Sequence, residues 1–199
     1  MIITMPGEIW LDLLNSDWHD HLGSGRGEDR LENPTWLRGY LDLHGIDTAG
    51  IPRDRLVASL RDLRTILRRI ADAYARRAKV PASDWNALNL YFGRAPLIRK
   101  VEIADMGRAG TPRDVQSSPR PRLKLVPLSG RLESSLSEIS SAFVETLEGG
   151  DPARVKICRN ADCRWVFYDR SKNKSRKWCE DTCGNLMKVR RFRKRHRKS

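Results

Sequence analysis

The chain has 199 residues, 39% of them hydrophobic and 32% charged, with a formal net charge of +13. That length suits one ordinary domain plus a small appended one. No apolar run approaches the roughly 20 residues of a membrane helix, and the N-terminus lacks the basic start and apolar run of a secretory signal, so the expectation is a cytoplasmic chain with no membrane attachment.

In chain order, Ile9 to Ser16 is mostly apolar and reads as a first short helix or buried turn. Gly23 to Glu32, glycine-rich and charged, reads as a loop. Asn33 before Pro34 is a helix start, the asparagine capping and the proline tolerated at the first helical position. Trp36, Leu37, Tyr40 and Leu41 give that helix one face, and Gly45 stops it. The longest helix follows Gly50 to Pro52. Its Leu56, Leu60, Leu63, Leu67, Ile70 and Tyr74 recur at spacings of four and three, a stripe that demands burial.

Pro81 ends that segment, and Ser83 is expected to cap a further helix through Trp85, Leu88, Leu90 and Phe92. Leu97 to Ile103 and Leu123 to Leu128 alternate apolar with polar residues, which predicts two strands of a hairpin. Asp105 to Pro121 between them reads as a long mobile loop. Leu132, Leu136, Ile139, Phe143 and Leu147 mark one more amphipathic helix, closed by Gly149-Gly150. Residues 1–150 are thus expected to form a mainly helical domain with a small antiparallel β-hairpin. Residues 151–199 form the appended module, an α+β chain overall.

All four cysteines lie in that module. Cys158 and Cys163 are separated by four residues, Cys179 and Cys183 by three, and fifteen residues lie between the pairs. Two close pairs suit the four thiolates of one tetrahedral structural zinc, and a reducing compartment makes disulfides the weaker reading. Arg164 to Asp169 is expected as a strand after a metal-binding knuckle, with a turn at Ser171 to Ser175. A return strand is expected at Arg176 to Trp178, then a helix carrying Cys179 and Cys183 on its first turn. That order is treble-clef-like. A module of this size has little core of its own, so metal supplies the missing stability.

The charge sits in the same place. Arg154 to Ser199 holds 17 Lys or Arg against four acids, a net of +13, whereas Met1 to Ala153 holds 21 of each. A neutral body with a cationic end points to a polyanionic partner. The candidate nucleic-acid contacts are Arg176, Lys177, Asn185, Lys188, Arg190, Arg191, Arg193, Lys194, Arg195 and Arg197, with Val189 and Phe192 packing one side of the tail onto the finger. Near the N-terminus, Asn15 and Trp18 are candidates for a ligand pocket, against the plainer reading of a helix cap and an edge-packed tryptophan. His19 and His21 are too isolated for a second metal. No catalytic arrangement stands out. An enzyme of unknown reaction in the first domain and an RNA-binding module remain as alternatives.

The run Cys163-Arg164-Trp165-Val166-Phe167-Tyr168-Asp169-Arg170-Ser171-Lys172-Asn173-Lys174-Ser175-Arg176-Lys177-Trp178-Cys179, continued by Cys183-Gly184-Asn185, resembles the bacterial CGNR zinc finger. Leu11 to Ser16 and the arginine-rich Leu60 to Arg64 resemble the ABATE domain that precedes it. The resemblance implies a stress-induced transcription regulator that binds duplex DNA through the finger. The first domain would sense a small-molecule or protein effector, and a homodimer is compatible with one small finger per chain. The signature's final arginine is Leu186 here, so Arg190 or Lys188 would have to replace its contact.

Overall fold

The computed structural model describes residues 8–103 and 121–196. The chain starts with helix α1 (Ile9–Leu14), a small hairpin of β1 (Asp17–His19) and β2 (Gly27–Asp29), and one 3₁₀ turn (Arg30–Glu32). Helices α2 (Pro34–Leu43), α3 (Arg53–Ala75) and α4 (Ala82–Arg94) follow, then the hairpin β3 (Leu97–Ile103) and β4 (Pro121–Pro127), then α5 (Arg131–Glu148). A second 3₁₀ turn (Pro152–Arg154) leads into β5 (Val155–Ile157) and β6 (Val166–Tyr168), and α6 (Asp181–His196) closes the fold. The mainly helical body with small antiparallel hairpins agrees with the expected fold class, and the order knuckle, turn, helix is compatible with a treble clef.

Helix α3 is the centre of the core. Its Leu56, Leu60, Leu63, Leu67 and Ile70 are buried along one face. Those side chains meet α1, α4, α5 and strand β5. Burial of each such side chain contributes about 1.5–3 kcal/mol, so the stripe alone explains why this helix organises the rest. Asn33 caps α2 as expected, its Oδ1 accepting from Thr35 N and Trp36 N at 3.1 and 3.2 Å. At the other end Gly45 takes φ +63, the left-handed turn that favours glycine.

Three local readings are corrected. The segment read as a loop from Gly23 to Glu32 contains β2, paired with β1 in the register Trp18↔Glu28. What holds it is remote: Arg64 on α3 grips Asp29 through Nη1 and Nη2 at 2.7 and 2.8 Å. Ser83 lies inside α4 and Pro81 precedes the helix, with no side-chain cap. The return strand expected at Arg176 to Trp178 does not form; β6 pairs instead with β5, in the register Lys156↔Phe167. The reason is burial. Val155 and Val166 are both fully buried in the same core as Trp10, Leu13 and Leu63, so these two strands are drawn together against α1 and α3.

The sequence boundary at 150–154 is therefore crossed by one continuous core. It is also crossed by hydrogen bonds: Asn15 Nδ2 donates to Val166 O at 2.9 Å, and Val166 N donates to Asn15 Oδ1 at 2.8 Å. The loop expected between β3 and β4 lies outside the described residues.

Candidate metal centre and nucleic-acid surface

Strands β5 and β6 carry a tight knuckle between them. Cys158 N donates to Trp165 O at 2.8 Å, which extends the ladder by one bond, and Cys163 N donates to Asn160 O at 3.0 Å to close the turn. Arg164 takes φ 55 as the chain leaves the knuckle. Cys179 arrives just ahead of α6 and Cys183 lies in its first turn, so the second pair straddles the helix start instead of sharing its first turn.

The four sulfurs lie within 4.8 Å of one another, with Cys163 to Cys179 at 3.6 Å and Cys179 to Cys183 at 3.8 Å. A tetrahedron with Zn–S bonds of about 2.3 Å has edges of about 3.8 Å. The geometry fits. As bare thiols these groups conflict: hydrogen bonds from Cys163 and Cys179 hold Cys158 far below the usual thiol range, while its bond to Cys158 pushes Cys163 up. Cys179 is raised through its hydrogen bond to Cys158, and burial raises Cys183. A divalent cation removes that conflict by giving every sulfur a positive neighbour. Four sulfur ligands close the coordination sphere, so the site is one structural zinc.

A second layer steadies the ligands, and the spacing of the cysteines gave no sign of it. Asn160 is fully buried; its Nδ2 donates to His21 O at 2.8 Å and lies 3.7 Å from the Cys183 sulfur. Asp169, also fully buried, accepts from Lys156 Nζ at 2.6 Å and from Ser171 N and Arg176 N at 2.9 Å each. Burial alone would raise this carboxyl, but Lys156 and the Ser171 and Arg176 donors hold it well below the usual carboxylate range. Trp165 and Trp178 pack on the sulfurs. A Cβ on Gly184 would lie 3.0 Å from the Trp178 ring, so glycine lets that ring lie close against the helix.

The expected nucleic-acid residues separate into two groups. Arg176 lies with its guanidinium 5.4 Å from the Phe167 ring centre and also donates to Cys179 O, so it braces the turn. Arg190 donates to Asp162 Oδ2 at 2.6 Å and to Leu22 O at 2.7 Å, tying α6 to the knuckle and to the body. By contrast Lys177, Asn185, Lys188, Arg191, Arg193, Lys194 and Arg195 are exposed, and among the described residues none of these cations meets a carboxylate. Arg197 lies outside the described residues. Val189 and Phe192, expected to pack on the finger, are instead 45% and 54% exposed, and Phe192 stands edge-on to His196. Arg190 makes the tie to the knuckle and body that those apolar side chains were expected to make.

The N-terminal candidates are placed differently from each other. Both ends of the Asn15 amide are taken by Val166, as above. Trp18 lines a hollow of about 100 Å³ with His19, His21, Trp165 and three of the cysteines. The Arg30 guanidinium lies 5.5 Å from the Trp18 ring centre and 6.0 Å from that of Trp165, bridging body and finger.

Residues 7–150 match the family described as "ABATE: Putative stress-induced transcription regulator", well over half of the chain. The chain belongs to the ABATE family. Its C-terminal part, residues 154–196, matches the CGNR zinc finger, which contains all four zinc ligands. No curated protein matches the chain. In this ABATE family member no described helix is long and apolar enough to cross a membrane.

Proposed function

We propose that the chain is a DNA-binding transcription regulator in which zinc fixes the start of α6 and the exposed cations of that helix contact the phosphate backbone. One observation carries this reading: of the basic residues on α6, Arg190 alone among the described residues is neutralised by an acid, and it serves as the anchor. The helix therefore presents Lys188, Arg191, Arg193, Lys194 and Arg195 on a base that does not move with them. Asn185 and Arg191 are the candidates for base-edge contact, while the others position the helix without reading sequence. The body acts as the sensor for a small-molecule or protein effector, in a cytoplasmic, non-enzymatic role, and Trp18 in its hollow is retained as a ligand candidate.

Selection on random duplex DNA with the zinc-loaded chain, followed by titration across salt, tests the reading. Roughly five phosphate contacts give a slope of log affinity against log salt of about −4 to −5. An enriched duplex site with that slope supports it. Salt-insensitive binding with no enriched site, or preference for single-stranded RNA, contradicts it.

A further inference from the structure

A second cationic surface lies at the junction of body and finger. The C-terminal end of α3, strand β5 and the 174–177 turn enclose a groove of about 740 Å³, within the size range of small-ligand pockets. Apart from the zinc ligand Cys158, every charged residue lining it is basic. Three of these cations have acidic partners: Arg76 is 4.0 Å from Asp72, Lys156 is 2.6 Å from Asp169, and Lys174 pairs with Asp151. The charged groups of the other four, Arg77, Arg159, Arg176 and Lys177, meet no carboxylate among the described residues. A concave site with uncompensated positive charge focuses potential on an anion.

The backbone adds an independent mark. Helix α3 closes with Ala78 N donating to Ala73 O at 2.9 Å and Arg77 N donating to Tyr74 O at 3.0 Å, the paired bonds of a Schellman cap. The residue after such a cap takes left-handed φ and is usually glycine; here it is Arg77, at φ 56. Lys174, across the groove, sits at φ 51. Among the described residues, two of the three non-glycine residues with positive φ thus line this one groove, and both are cationic. The same cap gives the Ala73 and Tyr74 carbonyls partners at this end of α3.

We propose that this groove binds a small multivalent anion of the phosphate class, held by Arg77 from the body and by Arg159 and Lys177 from the finger. Such a ligand would join the two parts across the sequence boundary and deepens the sensing half of the function proposed above; its binding does not depend on the DNA reading. A concave pocket favours a compact anion over a duplex, which needs a longer and more open track.

Calorimetric titration of inorganic pyrophosphate into the full, zinc-loaded chain, with zinc content measured before and after, tests this directly. Wild-type protein should show saturable binding. Arg77→Gly should lose at least about tenfold in affinity, the effect of one charge-assisted contact. Its Tm should stay equal or rise, because glycine suits that φ. Arg159→Glu should lose as much from the finger side. Duplex affinity of both variants should stay within about twofold of wild type, whereas Arg191→Ser with Lys194→Ser should weaken duplex binding and leave pyrophosphate binding intact. No saturable binding by the wild type, or unchanged affinity in Arg77→Gly, overturns the proposal. Parallel loss of duplex affinity in both groove variants also overturns it, by making the groove part of a nucleic-acid track. Loss of the DNA reading alone would show as absent duplex binding with pyrophosphate binding preserved.

Discussion

Asn15 caps the C-terminal end of α1 and satisfies the N–H and C=O of Val166, a residue 151 positions later. Asn15→Leu keeps similar volume but leaves both main-chain groups buried without partners, at about 1–3 kcal/mol each. Urea unfolding should show a loss of about 3 kcal/mol with zinc stoichiometry unchanged. Asp29 gives a pH-dependent counterpart. Burial pushes its carboxyl up, but hydrogen bonds from Arg64 and Arg61 outweigh that and lower it from 3.8 to about 2. A lowered folded value means the stabilisation is complete above pH 4 and disappears as pH falls toward 2. The stability gap between wild type and Asp29→Asn should be on the order of 1 kcal/mol at pH 7, after allowing for solvent screening, and should close over that acid window. A gap that persists at pH 2 contradicts the assignment.

At the scale of elements, α6 depends on the metal and the β5–β6 hairpin does not. The hairpin has Val155 and Val166 in the main core, whereas α6 buries only Cys183 and Gly184. Cys179→Ser should abolish zinc binding and remove helix signal equivalent to the 16 residues of α6, leaving the thermal transition of the body in place. Helix loss well beyond that figure would mean that the metal supports the body too. The β3–β4 hairpin shows the opposite situation. Register places Leu97, Val101, Ile103, Leu123 and Leu125 on one face, and all five are more than half exposed. Val101→Lys with Leu123→Lys should therefore change the stability of the isolated chain by no more than about 0.5 kcal/mol. If the homodimer expected from the small DNA surface that one finger buries uses this face, the same pair of changes will convert it to monomer in light scattering.

At the scale of the whole molecule, the β5–β6 hairpin and the body share one core despite a clean sequence boundary. Removing residues 151–199 takes Val155 and Val166 out of the core and leaves Asn15 without its partner. The fragment 1–150 should melt well below the full chain, by an amount equivalent to several kcal/mol. An unchanged Tm would show that the shared core contributes little.

Much of this was legible residue by residue. The stripe from Leu56 to Ile70 announced α3, Asn33 announced α2, and the spacing of Cys158, Cys163, Cys179 and Cys183 announced the zinc, because each pattern is local and carries its own period or ligand geometry. Strand β5 was not legible: Val155-Lys156-Ile157 is three residues long and becomes a strand only against Val166 to Tyr168. Ser83 misled because a good capping residue lay two positions too deep, with Pro81 already setting the start of α4.

The sequence alone determined where the metal and the excess positive charge reside, since both follow from residue type and short-range spacing. Tertiary structure decided how the finger sits on the body, which cations remain without acidic partners, and that Arg77 and Arg159 face one groove. Those outcomes depend on contacts between segments about 80 to 150 positions apart, and no local period encodes such pairings.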